Sequence, residues 1–167
     1  YATNYTRRCN KLTLKNFRKN GFVCKKTCIF AAFSEIITLT INLKNYKMKK
    51  KILILDDKET IAKILHIYLM SDYDCIWLSD GLQGMKWLQE GNTPDLIISD
   101  IRMPEMRGDD FLEWLKQNEL FKHIPVIMLS SEDSTSERIR LLEIGAADYI
   151  VKPFNPLELK VRVKKII

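Results

Sequence analysis

Two patterns of hydrophobic and polar residues alternate along the chain after residue 48: continuous apolar runs, and segments with apolar residues every three or four positions. Short, continuous apolar runs are typical of strands buried on both faces. The sequence predicts five such strands, at residues 52–55, 73–78, 96–99, 126–129 and 149–151. Pro125 stands at the start of the fourth strand, where the missing backbone N–H is tolerated best.

The segments between and after these runs have the three- and four-residue apolar spacing of helices. The first predicted helix, at about 58–70, carries one apolar face made of Ile61, Ile64, Leu65, Tyr68 and Leu69. Asp80 is predicted to cap the second helix and Gly91 to stop it, and Asp109 or Asp110 opens the third. The fourth helix contains Ile139, Leu142 and Glu143 and is closed by Gly145, and Pro156 lies in the first turn of the fifth.

Strands that alternate with helices in this way predict an α/β domain with a five-stranded parallel sheet and helices on both faces. Right-handed crossovers leave few strand orders, and such sheets place their sites beyond the carboxyl ends of the strands. A composition of 46% hydrophobic and 29% charged residues agrees with a globular domain that buries a core.

Charge divides the chain into two parts. Residues 1–47 contain ten Lys or Arg and one acid, whereas residues 48–167 contain 17 basic and 20 acidic residues. Tyr1 cannot initiate translation, and the first methionine, Met48, directly precedes a strand. We therefore expect residues 1–47 to be a basic extension that is disordered or not native. The alternatives are a membrane anchor around the apolar run 29–43 or an accessory helix.

Chemically useful side chains follow the predicted strands. Asp56 and Asp57 follow the first strand, Asp100 the third, Ser130 the fourth and Lys152 the fifth. If the first and third strands are neighbours, three carboxylates converge, and their repulsion favours raised pKa values or a hard divalent cation. Aspartate oxygens without His or Cys suit Mg²⁺.

The same edge is suited to phosphoryl transfer. Lys152 and Ser130, together with the cation, would hold the oxygens of a phosphoryl group, and Asp100 would be the nucleophile that forms an acyl phosphate. Taken singly, these residues have simpler interpretations: an acid after a strand is often a helix cap, and a lysine is usually exposed. Their joint occurrence at four strand ends favours the functional interpretation.

Four motifs resemble those of receiver domains of two-component response regulators. They are Leu-Ile-Leu-Asp-Asp at 53–57, Ile-Ser-Asp-Ile-Arg-Met-Pro at 98–104, Pro-Val-Ile-Met-Leu-Ser at 125–130 and Asp-Tyr-Ile-Val-Lys-Pro-Phe at 148–154. The resemblance covers residues 48–167. It implies the flavodoxin-like strand order 2-1-3-4-5, a cytoplasmic signalling switch, and a cis peptide before Pro153.

The resemblance also implies a role for each matching residue. Asp100 would be the phospho-acceptor. Asp57 would bind Mg²⁺ directly, Asp56 through water, and Arg102 through its backbone carbonyl. Lys152 would contact the phosphoryl oxygens, Ser130 would move toward them, and Tyr149 would turn inward as Ser130 moves. The phosphoryl donor would be a sensor histidine kinase or a phosphotransfer protein.

Two further residues flank the predicted phosphoryl site. Arg102 is two residues after Asp100 and Glu132 is two after Ser130, so they are placed to pair across the site. We hypothesise that this pair slows the access of water and sets the lifetime of the phosphate. The simpler alternative is an exposed ion pair of negligible effect.

The last motif is similar to receivers of winged-helix transcription regulators, which dimerise through the fourth helix, fifth strand and fifth helix. Asp148 and Arg162 would fit charged pairing there, whereas Ala147 stands where that subfamily often has a second acid. The domain has no basic stripe for nucleic acid. The sequence leaves open whether it is free-standing or controls an output domain.

Two other functions remain open at this stage. An aspartate-nucleophile phosphatase uses similar groups, but its nucleophile follows the first strand in an Asp-x-Asp arrangement that Asp56-Asp57-Lys58 does not match. A phosphorylation-independent binding module of this fold would lack the acceptor or the lysine. A glycine-rich nucleotide-binding loop is absent from the sequence.

Overall fold

The computed structural model describes residues 49–167, so the predictions for residues 1–47 lie outside it. The strands are β1 (Lys50–Leu55), β2 (Tyr73–Leu78), β3 (Leu96–Asp100), β4 (Val126–Ser130) and β5 (Asp148–Val151). The helices are α1 (Glu59–Leu69), α2 (Gly81–Gln89), α3 (Gly108–Gln117), α4 (Thr135–Ile144) and α5 (Pro156–Ile166). Among these residues, no helix combines the length and apolarity needed to cross a membrane.

The strands form one parallel sheet in the order β2-β1-β3-β4-β5, which confirms the predicted fold and strand order. Leu55 at the end of β1 pairs with Ser99, and Ser130 at the end of β4 pairs with Val151. This register brings the carboxyl ends of β1, β3, β4 and β5 to a single edge of the sheet.

Both faces of the sheet are covered, which explains why its central strands are apolar at successive positions. One face packs with α2, α3 and α4, and its fully buried residues include Leu53, Leu55, Ile97, Phe111 and Leu141. The opposite face packs with α1 and α5, and its buried residues include Ile52, Ile54, Ile98, Leu65 and Leu159. Because consecutive strand side chains point to opposite faces, neighbours such as Leu53 and Ile54 belong to different cores.

Two helices bury faces that match the predicted apolar faces only in part; on α1 the predicted members Leu65 and Leu69 are buried and Ile61 packs against the core. On α1 the buried residues are Ala62, Leu65 and Leu69, whereas the predicted face members Ile64 and Tyr68 are exposed. On α4 only Leu141 is buried, and Ile139 and Leu142 are 51% and 43% exposed. At 100° per residue, neither Ile139 nor Leu142 lies on the side of α4 that carries Leu141.

The helix ends follow the predicted capping residues in most cases. Asp80 accepts a hydrogen bond from the backbone of Gln83, and Gly145 closes α4 in a left-handed conformation. The predicted start of α3 is wrong by one or two residues, since the helix begins at Gly108. Gly108 donates its backbone N–H to the Ile101 carbonyl and lies against β3, and this contact fixes where the helix begins.

Candidate functional site

Three carboxylates converge where β1 and β3 end. Asp56 and Asp57 directly follow β1, and Asp100 is the last residue of β3, the strand beside it. One oxygen from each of the three lies within 4.8 Å of the others. Asp56 and Asp100 are buried and Asp57 is exposed, so the cluster has one side open to solvent.

Asp56 is held by its own loop and by β2. Its carboxylate accepts a hydrogen bond from the Lys58 backbone at 2.9 Å, and its carbonyl accepts one from Trp77 Nε1 at 2.9 Å. Burial raises the pKa of the Asp56 carboxyl above its usual value, and this effect outweighs the lowering by the nearby Lys152 ammonium.

Lys152 brings a positive charge to the same cluster. It follows β5, and its Nζ lies 2.7 Å from an oxygen of Asp56 and 2.7 Å from an oxygen of Asp100. The Lys152 side chain is only 11% exposed, so this ion pair is largely shielded from water. The Lys152–Pro153 peptide is cis, as the resemblance implied.

The backbone around Asp100 is closely packed. Asp100 Oδ2 accepts a hydrogen bond from the Arg102 N–H at 3.2 Å, and Ser99 Oγ donates to the Asp100 carbonyl at 3.0 Å. A Cβ atom added to Gly108 would lie 1.9 Å from that carbonyl oxygen, far inside van der Waals contact. The start of α3 therefore packs directly against the residue that presents the carboxylate.

Ser130, at the end of β4, and Tyr149, on the neighbouring β5, are joined to α4. The Ser130 hydroxyl donates to Glu137 Oε2 at 3.0 Å, and the Tyr149 hydroxyl lies 3.0 Å from the same oxygen. Tyr149 also reaches the Glu132 carbonyl at 2.7 Å, and its ring is buried. Burial raises the pKa of the Tyr149 hydroxyl above its ordinary range, so the group remains a proton donor at neutral pH.

Arg102 and Glu132 form an ion pair between the loops that follow β3 and β4. Their side chains are 61% and 49% exposed, so the pair lies on the surface of the protein. The sequence predicted this contact. Its effect on the lifetime of a phosphate stays a prediction.

The donor set fits a hard cation. Asp56, Asp57 and Asp100 offer only carboxylate oxygens, the ligand type that Mg²⁺ and Ca²⁺ prefer, and the exposed Asp57 leaves room for water ligands. The predicted ligation by the Arg102 carbonyl stays a prediction. The structure thus groups Asp56, Asp57, Asp100 and Lys152, while Ser130 forms its hydrogen bonds with residues 132 and 137.

Sequence reasoning missed three residues of this region. Trp77 is partly exposed and donates its Nε1–H to the Asp56 carbonyl, a contact that no motif of the sequence indicated. Glu137 was not identified, because an acid in the first turn of a helix is common for dipole reasons alone. Gly108 was not identified either, because its close approach to Asp100 depends on how α3 packs against β3.

Comparisons with known proteins agree with this geometry. A family model described as the response regulator receiver domain matches residues 52–164. The alkaline phosphatase synthesis transcriptional regulatory protein PhoP of Bacillus subtilis is 40% identical over 121 residues, which cover 72% of this chain and 49% of PhoP. The chain therefore spans about half the length of this curated relative.

Solved structures show the same similarity. The chemotaxis response regulator CheY4 of Vibrio cholerae has a TM-score of 0.66 and 29% identity, covering 71% of this chain and 99% of that one. The receiver domain of a signal transduction histidine kinase from Syntrophus aciditrophicus has a TM-score of 0.65 and 36% identity, covering 70% and 89%. The chain thus belongs to the response regulator receiver domain family.

Proposed function

We propose that this domain is a phosphorylation switch in which Asp100 accepts the phosphoryl group. The observation that carries the proposal is the position of the Asp100 carboxylate, 2.7 Å from Lys152 and clustered with Asp56 and Asp57. A nucleophilic carboxylate beside a cation and a metal-binding acid pair suits phosphoryl transfer, which depends mainly on positioning and charge stabilisation.

The donor is a phosphohistidine on a sensor histidine kinase or phosphotransfer protein in the cytoplasm. An oxygen of Asp100 attacks phosphorus, the O–P bond forms as the P–N bond of the phosphohistidine breaks, and the imidazole leaves with the electron pair. The product is an acyl phosphate, which water later hydrolyses. The domain therefore catalyses only its own phosphorylation and dephosphorylation and turns over no other substrate.

Mg²⁺ is the cation we assign to the acid cluster, held by Asp56, Asp57, Asp100 and the backbone carbonyl of Arg102. When bound, it would supply positive charge to the phosphoryl oxygens. Lys152 exchanges its contact with Asp100 for a contact with one phosphoryl oxygen. Ser130 donates a hydrogen bond from its hydroxyl to a second phosphoryl oxygen. Tyr149, on β5, communicates the movement of Ser130 to the surface formed by α4, β5 and α5.

Arg102 and Glu132 are assigned to the lifetime of the acyl phosphate. Their ion pair joins the loops that follow β3 and β4, and a closed pair would restrict the path of water to phosphorus. Because both side chains are largely exposed, we expect a tuning effect of a few-fold on dephosphorylation.

The partner surface is the face of α4, β5 and α5, through which two copies would form a homodimer. Arg162 on this face binds Asp148 at 2.8 Å and Glu158 at 2.7 Å within one chain. A dimer would have to share or replace these pairs, so its affinity should depend on salt. We assign this domain no direct contact with nucleic acid or membrane.

The test is incubation with acetyl phosphate and Mg²⁺, followed by intact mass measurement of the wild type, Asp100→Asn and the exposed control Asp110→Asn. We expect one phosphoryl group on the wild type and on the control, and none on Asp100→Asn. A mass gain that survives Asp100→Asn would overturn the assignment. Turnover of many equivalents of a phosphomonoester would instead favour a phosphatase.

A further inference from the structure

Glu137 links the two hydroxyl groups of the switch. It lies in the first turn of α4, half-buried, and one carboxylate oxygen is 3.0 Å from Ser130 Oγ and 3.0 Å from the Tyr149 hydroxyl. Ser130 and Tyr149 are themselves buried, so water competes little for these hydrogen bonds. An ionised acceptor makes such bonds stronger than those to a neutral group.

The hydrogen-bond inventory of Ser130 limits what it can do. A serine hydroxyl has one proton to donate, and here that proton is directed at Glu137. Its oxygen accepts a hydrogen bond from the Glu132 backbone N–H at 3.0 Å. Ser130 therefore cannot donate to a phosphoryl group on Asp100 until its bond to Glu137 breaks.

Tyr149 shares the same restraint. Its single hydroxyl proton faces two acceptors, the Glu132 carbonyl at 2.7 Å and the Glu137 carboxylate at 3.0 Å. The guanidinium of Arg138, the next residue of α4, lies 5.3 Å from the centre of the Tyr149 ring. The β4–α4 loop, the start of α4 and Tyr149 thus form one network around Glu137.

We propose that Glu137 is a positioning residue that holds Ser130 and Tyr149 in the unphosphorylated arrangement and competes with the phosphoryl group for the Ser130 proton. This inference rests on the proposed role of Asp100. It adds that Glu137 sets how readily the domain switches. Glu137 stabilises only the unphosphorylated arrangement, so the phosphoryl group must favour the switched arrangement by more than this stabilisation.

The matched variants follow from the chemistry of the acceptor. Glu137→Ala removes it, and Glu137→Gln keeps the size and an acceptor oxygen but loses the charge. Both leave intact the backbone N–H of residue 137, which is the group that Ser134 caps. Glu143→Ala, an exposed glutamate on the same helix, is the control.

The measurement is the apparent dissociation constant for beryllofluoride, a mimic of the phosphoryl group, at saturating Mg²⁺. Binding is monitored through the backbone NMR shifts of residues around Asp100. We expect Glu137→Ala to bind about tenfold more tightly than the wild type, as the loss of one charged hydrogen bond suggests. Glu137→Gln should lie between them, and Glu143→Ala should match the wild type.

A second background separates positioning from mere structure. In Ser130→Ala the hydroxyl for which Glu137 competes is gone, so Glu137→Ala should change the affinity far less. Equal affinities of wild type and Glu137→Ala, or an equal effect in both backgrounds, would overturn the inference while leaving the role of Asp100 intact. Failure of the wild type to bind beryllofluoride would overturn the proposed function, and the inference with it.

Discussion

The Lys152 ammonium lies 2.7 Å from a carboxylate oxygen of Asp100, although the two residues are 52 positions apart in the chain. It is also 2.7 Å from Asp56, so one cation is shared between two buried acids. In the absence of a metal ion, this lysine supplies the positive charge that the acid cluster requires. Lys152 and a bound divalent cation should therefore substitute for each other in stabilising the fold.

Replacing Lys152 by Met keeps most of the side-chain volume and removes the charge. We expect the free energy of unfolding without Mg²⁺ to fall by about 3 kcal/mol, because two buried carboxylates lose their partner. Mg²⁺ should restore more stability to this variant than it adds to the wild type. Urea unfolding without Mg²⁺ and at a saturating Mg²⁺ concentration measures both effects.

The control for this comparison is Lys63→Met. Lys63 pairs with Glu59 on the surface of α1, where an ion pair contributes at most about 1 kcal/mol. An equal loss of stability in Lys63→Met and Lys152→Met, or an identical response to Mg²⁺ in Lys152→Met and the wild type, would contradict the shared role.

Opening the Arg102–Glu132 pair should shorten the lifetime of the acyl phosphate. We expect Arg102→Ala and Glu132→Ala each to dephosphorylate about threefold faster, in line with an exposed ion pair of well under 1 kcal/mol. The double variant should be no faster than either single variant if the two residues act as a pair. Loss of the phosphoryl group is followed over time by intact mass.

High salt supplies an independent check on the Arg102–Glu132 pair. Screening should speed dephosphorylation of the wild type toward the rate of the variants and affect the variants little. Lys122→Ala opens a separate surface pair with Glu119 and should leave the rate unchanged. Unchanged rates in both Arg102→Ala and Glu132→Ala would rule out the assignment.

Asp109 should make stability depend on acid pH. Burial of this carboxyl would raise its pKa, but the hydrogen bonds from Arg107 and Arg140 outweigh burial and hold the pKa below its ordinary 3.8. A lowered pKa in the folded state means that the unfolded chain binds the proton more readily. The stabilisation is therefore complete above pH 3.8 and is lost as the pH falls through the lower folded value.

Asp109→Asn is the variant that reveals this contribution. At pH 7 we expect it to reduce the free energy of unfolding by about 1 kcal/mol, since both arginines are partly exposed. The difference from the wild type should shrink as the pH is lowered below 3.8. Urea unfolding across this range tests the trend, with the exposed neighbour Asp110→Asn as the control. A difference that grows toward acid pH would show that the sign is wrong.

Much of this site was predictable because each strand carries its chemistry at its end. The apolar run before Asp100 predicts a buried strand, and the turn after it predicts that the strand ends there, so the position of Asp100 at the end of β3 follows from local sequence. The convergence of Asp56 with Asp100 required the strand order, which the family resemblance provided and periodicity alone did not.

Other contacts left no readable signal in the sequence. Trp77 bonds to a backbone carbonyl, which every residue possesses, so no side chain of complementary type marks its partner. Glu137 contacts Ser130 on β4 and Tyr149 on β5 from the first turn of α4, and this approach depends on the tertiary fold. The pattern of α4 predicted the wrong buried residues, since Ile139 and Leu142 are exposed. Apolar residues are common on protein surfaces and do not by themselves mark a core.

Gly108→Ala should damage the site without altering any polar group. The added Cβ would lie 1.9 Å from the Asp100 carbonyl oxygen, so the backbone of β3 or α3 must move. We expect a loss of about 1–3 kcal/mol in unfolding free energy and slower phosphorylation by acetyl phosphate. Gly84→Ala is the comparison variant, because its Cβ would meet the side-chain ends of the buried Leu55 and Phe111, at 3.0 and 3.3 Å, and no backbone atom, so we expect a smaller loss than in Gly108→Ala. If Gly108→Ala were as stable and as reactive as Gly84→Ala, the close contact would not matter.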